Sequence, residues 1–369
     1  MTYRAIGLMS GSSLDGLDIV FADFNETSGN WDFDILASSC IPYDKQWQDD
    51  LRNATNLSAR DYLALHAAYG KWIGQAVNSF IDKNNLHHQV QLIGSHGHTF
   101  FHEPQNGFTS QIGCGATIAA ITGINTVSHL RALDIALGGQ GAPIVPVGEK
   151  LLFADAKAFL NIGGIANISI HTVDGIIAYD ICPANRVLNV LAEKLGKPFD
   201  EGGVLAEKGF VRDEVLSKMN ALPYYTHAYP KSLANSFGLD VVLPLLEQAN
   251  LSVPDALRTM VEHIAIQVSR NILRLGNKQG RNTSNGPHKL LVTGGGAFNS
   301  YLLTRLKNMM EIGGWQIDIP PAEVVNYKEA LIMGLLAVLR WREEATTFPT
   351  TTGGKAASSG GAVWLGQQP

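Results

Sequence analysis

Three glycine-rich turns and one carboxylate carry most of the chemistry that this sequence offers. The run Gly11-Ser12-Ser13-Leu14-Asp15-Gly16-Leu17-Asp18 joins small-residue amides and hydroxyls, which suit an anion, to two carboxylates that can hold a cation or its waters. An ordinary tight hairpin has the same composition. Two further turns, Asn161-Ile162-Gly163-Gly164-Ile165-Ala166-Asn167 and Gly294-Gly295-Gly296-Ala297-Phe298-Asn299, place bare backbone between apolar strands and the elements that follow. Three such turns are enough to surround one nucleotide.

Asp180 closes a strand-like run just before Ile181-Cys182-Pro183-Ala184-Asn185, where a helix is expected to begin. A carboxylate at that place serves equally as a general base or as a helix cap. His96 and His98, in Gly94-Ser95-His96-Gly97-His98-Thr99, lack an identifiable third metal ligand, so hydrogen bonding to a sugar or to backbone is the expectation and no metal site is assigned. Arg131, Lys231 and Glu329 sit among small or apolar residues and need a partner or a ligand; a structural ion pair is the default for each. Cys114 and Cys182 read as small buried hydrophobes rather than nucleophiles.

Several classes drop out. No Gly-x-x-x-x-Gly-Lys-Ser/Thr is present, which excludes a P-loop NTPase, and Gly139-Gln140-Gly141 lacks the third glycine of a dinucleotide fingerprint. A net charge of −5 with 17% charged residues argues against nucleic acid or an anionic membrane as the main partner. The three widely spaced cysteines form neither a disulfide framework nor a paired zinc site, and Met1 to Met9 resembles neither a secretory signal nor a span. A reduced, cytoplasmic protein is expected.

The elements that would position these residues come from periodicity. Tyr3 to Met9, Leu17 to Phe24 and Trp31 to Ser38 read as strands of a β-meander, Ser58 to Lys83 as a helix, and Val90 to Ile93 as a returning strand. The meander recurs as Lys157 to Asn161, Asn167 to His171 and Ile176 to Asp180, with Asp174-Gly175 in its second turn. Helices at Asn185 to Leu195 and Pro254 to Leu275, the strand Leu290 to Thr293 and a helix from Ser300 follow. The repeat predicts two related α/β domains around a cleft, with a hinge near Thr126 to Pro146. Lys355 to Pro369 either packs back as an edge or stays mobile.

Read together, Gly7 to Asp18, Gly138-Gly139-Gln140-Gly141-Ala142-Pro143, Ser95-His96-Gly97, Asn161 to Asn167, Pro230-Lys231-Ser232, Gly294 to Asn299 and Lys328-Glu329-Ala330 resemble the anhydro-N-acetylmuramic acid kinase family over nearly the whole chain. The resemblance implies two duplicated ribonuclease-H-like domains of the actin and sugar-kinase type around an ATP cleft, in a cytoplasmic homodimer. Residues 1–130 would form the first domain, with the C-terminal tail packed back on it, and 131–369 the second. The implied reaction turns ATP, 1,6-anhydro-N-acetylmuramic acid and water into ADP and N-acetylmuramic acid 6-phosphate during peptidoglycan recycling. Asp180 matches the catalytic aspartate. Gly11, Ser12, Ser13, Leu14, Asp15, Gly16, Leu17, Asp18, Gly163, Gly164, Gly294, Gly295, Gly296 and Asn299 would contact Mg-ATP, and His96, Arg131 and Glu329 the amino sugar.

Two departures stand out. Asp180-Ile181-Cys182-Pro183-Ala184-Asn185 replaces the common Asp-Thr-Gly-Pro-Gly-Asn while keeping the aspartate, and His129 stands where an Asp usually precedes the Phe-Arg. Rival readings are a kinase of the same fold acting on another hexose or amino sugar, and an ATP-gated binding protein.

Overall fold

The computed structural model describes residues 1–11, 13–172, 175–229, 231–278 and 287–366. It divides into two compact units, Met1–Ala154 with Tyr327–Pro369, and Asp155–Asn326. The expected division at 130/131 and the expected hinge at 126–146 therefore both fall inside the first unit. The reason is that residues 131–154 pack back on the strands before them: Arg131 donates to His96, and the Phe153 ring meets that of Phe33 edge-on at 5.3 Å.

In the first unit, β1 (Thr2–Ser10), β2 (Gly16–Thr27) and β3 (Asn30–Pro42) form the antiparallel meander. β4 (Leu92–Glu103) adds to β1 in parallel, β6 (Asn125–Ser128) adds to β4 in parallel, and β5 (Phe108–Ile112) forms a hairpin with β4. β4 runs on well past Gly94, so His96 and His98 lie in a strand rather than a turn. Between β3 and β4 the helix Ala59–Asn84 starts where Ser58 accepts from Asp61 N–H and ends at Asn85 in the left-handed region. It buries Tyr69, Ile73, Val77 and Phe80 against the meander.

In the second unit, β7 (Ala158–Ile162), β8 (Ile165–Thr172) and β9 (Gly175–Pro183) repeat the meander, with β10 (His288–Thr293) parallel to β7 and β11 (Trp315–Asp318) parallel to β10. The strand orders match: β3-β2-β1-β4-β6 in one sheet and β9-β8-β7-β10-β11 in the other. Each is the ribonuclease-H-like order, three antiparallel strands followed by two parallel ones, so the duplication is real. The helix Val253–Lys278 begins beside Ser252, whose hydroxyl accepts from Asp255 N–H. Asp174 of the second meander turn lies outside the described residues.

The C-terminal segment completes the first unit. β12 (Ala362–Trp364) pairs antiparallel with β6, and Trp364 Nε1 donates to Ser128 Oγ at 2.9 Å. From Tyr327 onward the helix Ala322–Trp341 belongs to the same unit. Its segment Ala330 to Leu339 is almost wholly buried, as its run of Ala, Leu, Ile, Met and Val requires. It lies directly on paired glycines: Gly7 opposes Gly94 across β1 and β4, and a Cβ would fall 1.8 Å from Ala330 O at Gly7 and 2.1 Å from Met333 O at Gly94. Both clashes are with backbone, which cannot swing aside. We predict that Gly7→Ala lowers stability by about 1–3 kcal/mol or more through overpacking; an unchanged urea midpoint would refute the close approach.

Candidate functional site

In the first unit the Gly11–Asp18 turn lies between β1 and β2. Leu14 adopts φ 60° and is buried, its N–H donating to Gly11 O at 3.3 Å. Asp15 O accepts from Tyr43 N–H at 3.1 Å, which ties the turn to the end of β3. Ser12 lies outside the described residues. Asp18 belongs to β2 rather than to the turn itself. Burial pushes its carboxyl up to about 6, against a hydrogen bond with Cys40 and with the help of Asp15 and Glu329. The same neighbourhood pushes the Cys40 thiol up to about 12, again chiefly by burial, so it is a protonated donor and not a nucleophile.

His96, Arg131 and Glu329 converge on this unit. His96 Nδ1 lies 2.9 Å from Gly97 O, which only accepts, while its Nε2 accepts from Arg131 Nε at 2.9 Å. Those two partners fix a neutral Nδ1–H tautomer. Burial, then Arg131, drags the imidazole pKa down to about 3. Arg131 Nη1 donates to Gly141 O at 2.7 Å. Burial lowers the guanidinium to about 10 while Glu329 pulls it upward. Burial raises Glu329 in turn, opposed by Lys328 and Arg131 and assisted by Glu149. Lys328 itself pairs with Glu149 at 2.5 Å in a buried contact.

The Gly138–Pro143 run owes its glycines to this arrangement. Asp134, a buried carboxylate that sequence reasoning missed, accepts from Gly141 N–H at 2.7 Å and from Thr352 Oγ1 at 2.6 Å. A Cβ on Gly139 would stand 2.3 Å from Asp134 Oδ2, and Gly141 needs φ 63°. Asp134 thus holds the loop whose carbonyl orients Arg131. A second missed network joins Tyr43 OH to Ser10 Oγ at 2.8 Å, Ser10 Oγ to His98 Nδ1 at 2.9 Å, and Tyr43 OH to Tyr69 OH at 2.5 Å. It braces the residue immediately before the Gly11–Asp18 turn. Both histidines therefore make hydrogen bonds, and among the described residues no group of three His, Cys, Asp or Glu is arranged to hold a metal ion.

In the second unit Asp180 closes the regular part of β9, opposite Asn167. The helix Asn185–Glu193 has Ala184 before it and no side-chain cap, so Asp180 does not cap it. Its Oδ2 accepts from Leu233 N–H at 2.9 Å, its N–H donates to Lys231 O at 3.3 Å, and its carbonyl accepts from Tyr224 OH at 2.6 Å. Burial raises the carboxyl above its ordinary value despite the Leu233 bond. Cys182, two residues on, is fully buried, and burial pushes its thiol far up.

Gly163 and Gly164 lie at the end of β7, where their carbonyls accept from Asn185 N–H at 3.0 Å and Ala184 N–H at 2.9 Å. Gly294 to Gly296 pack over the same strand end. A Cβ on Gly294 would meet Asn161 Oδ1 at 2.5 Å, and one on Gly296 would meet Ile162 Cγ2 at 2.2 Å. Just before them, Thr293 Oγ1 is buried with no hydrogen-bond partner among the described residues, a group that a ligand hydroxyl or phosphate can satisfy. Asn299 Oδ1 accepts from Leu302 N–H at 3.0 Å, committing that oxygen to the start of the helix Ser300–Met310.

Comparison with known proteins places the chain in a family. The family model of anhydro-N-acetylmuramic acid kinase matches residues 3–366. The chain belongs to the anhydro-N-acetylmuramic acid kinase family. Relatives bearing that family's name include the protein of Aliivibrio fischeri, 34% identical over 377 residues covering 98% of this chain and 99% of the relative. The Zymomonas mobilis relative is 33% identical over 383 residues, covering 97% and 99%. Among solved structures, the ADPNP-bound activator of 2-hydroxyisocaproyl-CoA dehydratase from Clostridium difficile aligns with a TM-score of 0.46 at 16% identity, covering 92% of this chain and 96% of that one.

A carboxyl that binds its proton more tightly folded than unfolded stabilises the fold fully below the usual 3.8 and loses that contribution as pH climbs through about 6. Near neutral pH, ionised Asp18 therefore opposes folding. Asp18→Asn should unfold at higher urea than the parent near neutral pH, and the two midpoints should converge at about pH 4. A gap that stays constant with pH would contradict a raised Asp18.

Proposed function

We propose that the protein phosphorylates 1,6-anhydro-N-acetylmuramic acid with ATP while adding water across the anhydro bridge, a step of peptidoglycan recycling. The observation that carries this reading within the family is the Asp180 carboxylate. One oxygen is anchored by Leu233 N–H, and burial raises its basicity, as a general base requires.

Asp180 takes a proton from water as the water oxygen bonds to the anomeric carbon. The bond from that carbon to the bridging 6-oxygen breaks, and the freed oxygen attacks the γ-phosphorus as the bond to the β-phosphate oxygen breaks, giving ADP and the 6-phosphate. The proton leaves Asp180 for solvent. In this reading Gly11, Ser12, Ser13, Leu14, Asp15, Gly16, Leu17, Asp18, Gly163, Gly164, Gly294, Gly295, Gly296 and Asn299 contact the nucleotide, and His96, Arg131 and Glu329 the sugar. Charged Arg131 beside neutral His96 offers an anionic or hydroxyl-rich ligand fixed donors with little reorganisation.

Mg²⁺ fits the same reading. Asp18, with Asp15 near it, supplies the one or two carboxylates with which this ion is held when phosphates and waters fill its remaining positions. When bound, the ion would offset phosphate charge. A cytoplasmic homodimer completes the proposal, and free Cys40, Cys114 and Cys182 accord with a reducing compartment. Among the described residues no helix is long and apolar enough to cross a membrane.

The deciding assay measures ADP release with Mg-ATP and 1,6-anhydro-N-acetylmuramic acid, beside N-acetylglucosamine, glucose and no sugar. Release is expected with the anhydro sugar alone, falling about 10²–10⁴-fold in Asp180→Asn. Release driven by another sugar would replace the substrate, and an unaffected Asp180→Asn would remove the base. Sedimentation equilibrium should return twice the chain mass; a monomer at every concentration would refute the dimer.

A further inference from the structure

A pocket of about 310 Å³ opens beside β9, lined among the described residues by Tyr179, Tyr229, Lys231, Asn271, Arg274 and the Thr226–Ala228 segment. It belongs to the second unit alone and is not the Asp180 site. Neighbouring strand residues point to opposite faces, so Tyr179 and Asp180 face away from one another.

Its walls are fixed. Tyr179 OH donates to Asn271 Oδ1 at 3.1 Å, and Asn271 Nδ2 donates to Gln267 O at 2.7 Å, locking the ring to the helix Val253–Lys278. Tyr229 lies parallel to Tyr179, centroids 5.7 Å apart and planes 9° apart. Lys231 Nζ stands 4.5 Å from the Tyr224 ring and 5.7 Å from that of Tyr179, and donates one hydrogen to Tyr224 O at 3.3 Å. Two of its three hydrogens remain for another acceptor.

The charge of the pocket has one sign. Lys231 and Arg274 are both in the lining, and no Asp or Glu is among the described lining residues. Burial first, then Arg274, pulls the Lys231 ammonium below its ordinary range. Two cations beside a largely apolar cavity are relieved by an anion. Tyrosine faces with Asn, Thr and His groups at their edges suit a sugar ring, whose C–H face stacks while its hydroxyls reach the rim. A volume at the low end of ligand pockets admits a monosaccharide and not a nucleoside triphosphate.

We propose that this pocket is a second ligand site that takes an anionic monosaccharide, a sugar phosphate or a sugar acid, held by Lys231 and Arg274 against the Tyr179 and Tyr229 rings. It goes beyond the kinase reading and does not depend on it. The test is calorimetric titration of the full chain with N-acetylglucosamine 6-phosphate, glucuronate and neutral N-acetylglucosamine, each without nucleotide. The variants are Arg274→Ala and Tyr229→Ala, both at exposed side chains and checked for unchanged Tm, together with Asp180→Asn.

At least one anion should bind, with affinity unchanged in Asp180→Asn and weakened about tenfold in both pocket variants. Whichever anion binds names the source of the charge. The proposal is overturned if neither anion binds, if the neutral sugar binds as well, if both pocket variants bind like the parent, or if Asp180→Asn abolishes binding. The last result would assign the ligand to the kinase site, whereas loss of ADP release with binding intact would leave this site standing.

Discussion

Backbone-to-backbone contact between the helix Ala322–Trp341 and the Gly7–Gly94 pair governs the geometry of the first unit. No side chain separates Ala330 O from Gly7 or Met333 O from Gly94, so the helix register is set by main-chain atoms that cannot repack. Glu329 adjoins Ala330, and Lys328 reaches the buried Glu149. The distances that let Glu329 act on Asp18 and Arg131 are inherited from two glycines at the sheet centre.

Around that contact the protein manages charge by fixing protonation rather than by multiplying ion pairs. His96 is held neutral by one acceptor and one donor, so it neither competes with the Arg131 charge nor neutralises Glu329. Asp134 shapes the glycine loop whose carbonyl accepts from the guanidinium. Under the proposed sugar reading, an array of this kind would cost little reorganisation, because its protons are already placed.

Much of this was legible in the sequence. The repeated strand, glycine turn, strand pattern of β1–β3 and β7–β9 follows from period-two hydrophobicity cut by glycine, signals that act within a few residues. Asp180 at the end of β9, the hydrogen bond of His96 to backbone and the burial of Cys182 were also readable from short-range context. Of the two outcomes expected for Lys355 to Pro369, packing back as an edge is the one found, in the pairing of β12 with β6. The unit boundary was not legible, since the helix Ala322–Trp341 returns from more than 200 residues away and residues 131–154 stay with the strands before them. Asp134, Tyr43 and the Leu233 amide escaped notice because their importance lies in what they touch. The strand reading stops at Gly94 because glycine weakens a strand interior; there it makes room for a helix, and β4 runs on to Glu103.

The return of β12 to β6 also makes the first unit discontinuous, with residues 155–326 inserted into it. During synthesis the inserted unit is complete in the emerging chain before its host is. The host's β1–β6 strands must meanwhile persist with an uncovered glycine patch and a missing edge, since the covering helix segment and the last strand come from its final 43 residues, Tyr327–Pro369. A nascent chain paused between the two units would therefore present a finished domain joined to an unfinished one, and that unfinished sheet is the part of the molecule most in need of protection before release.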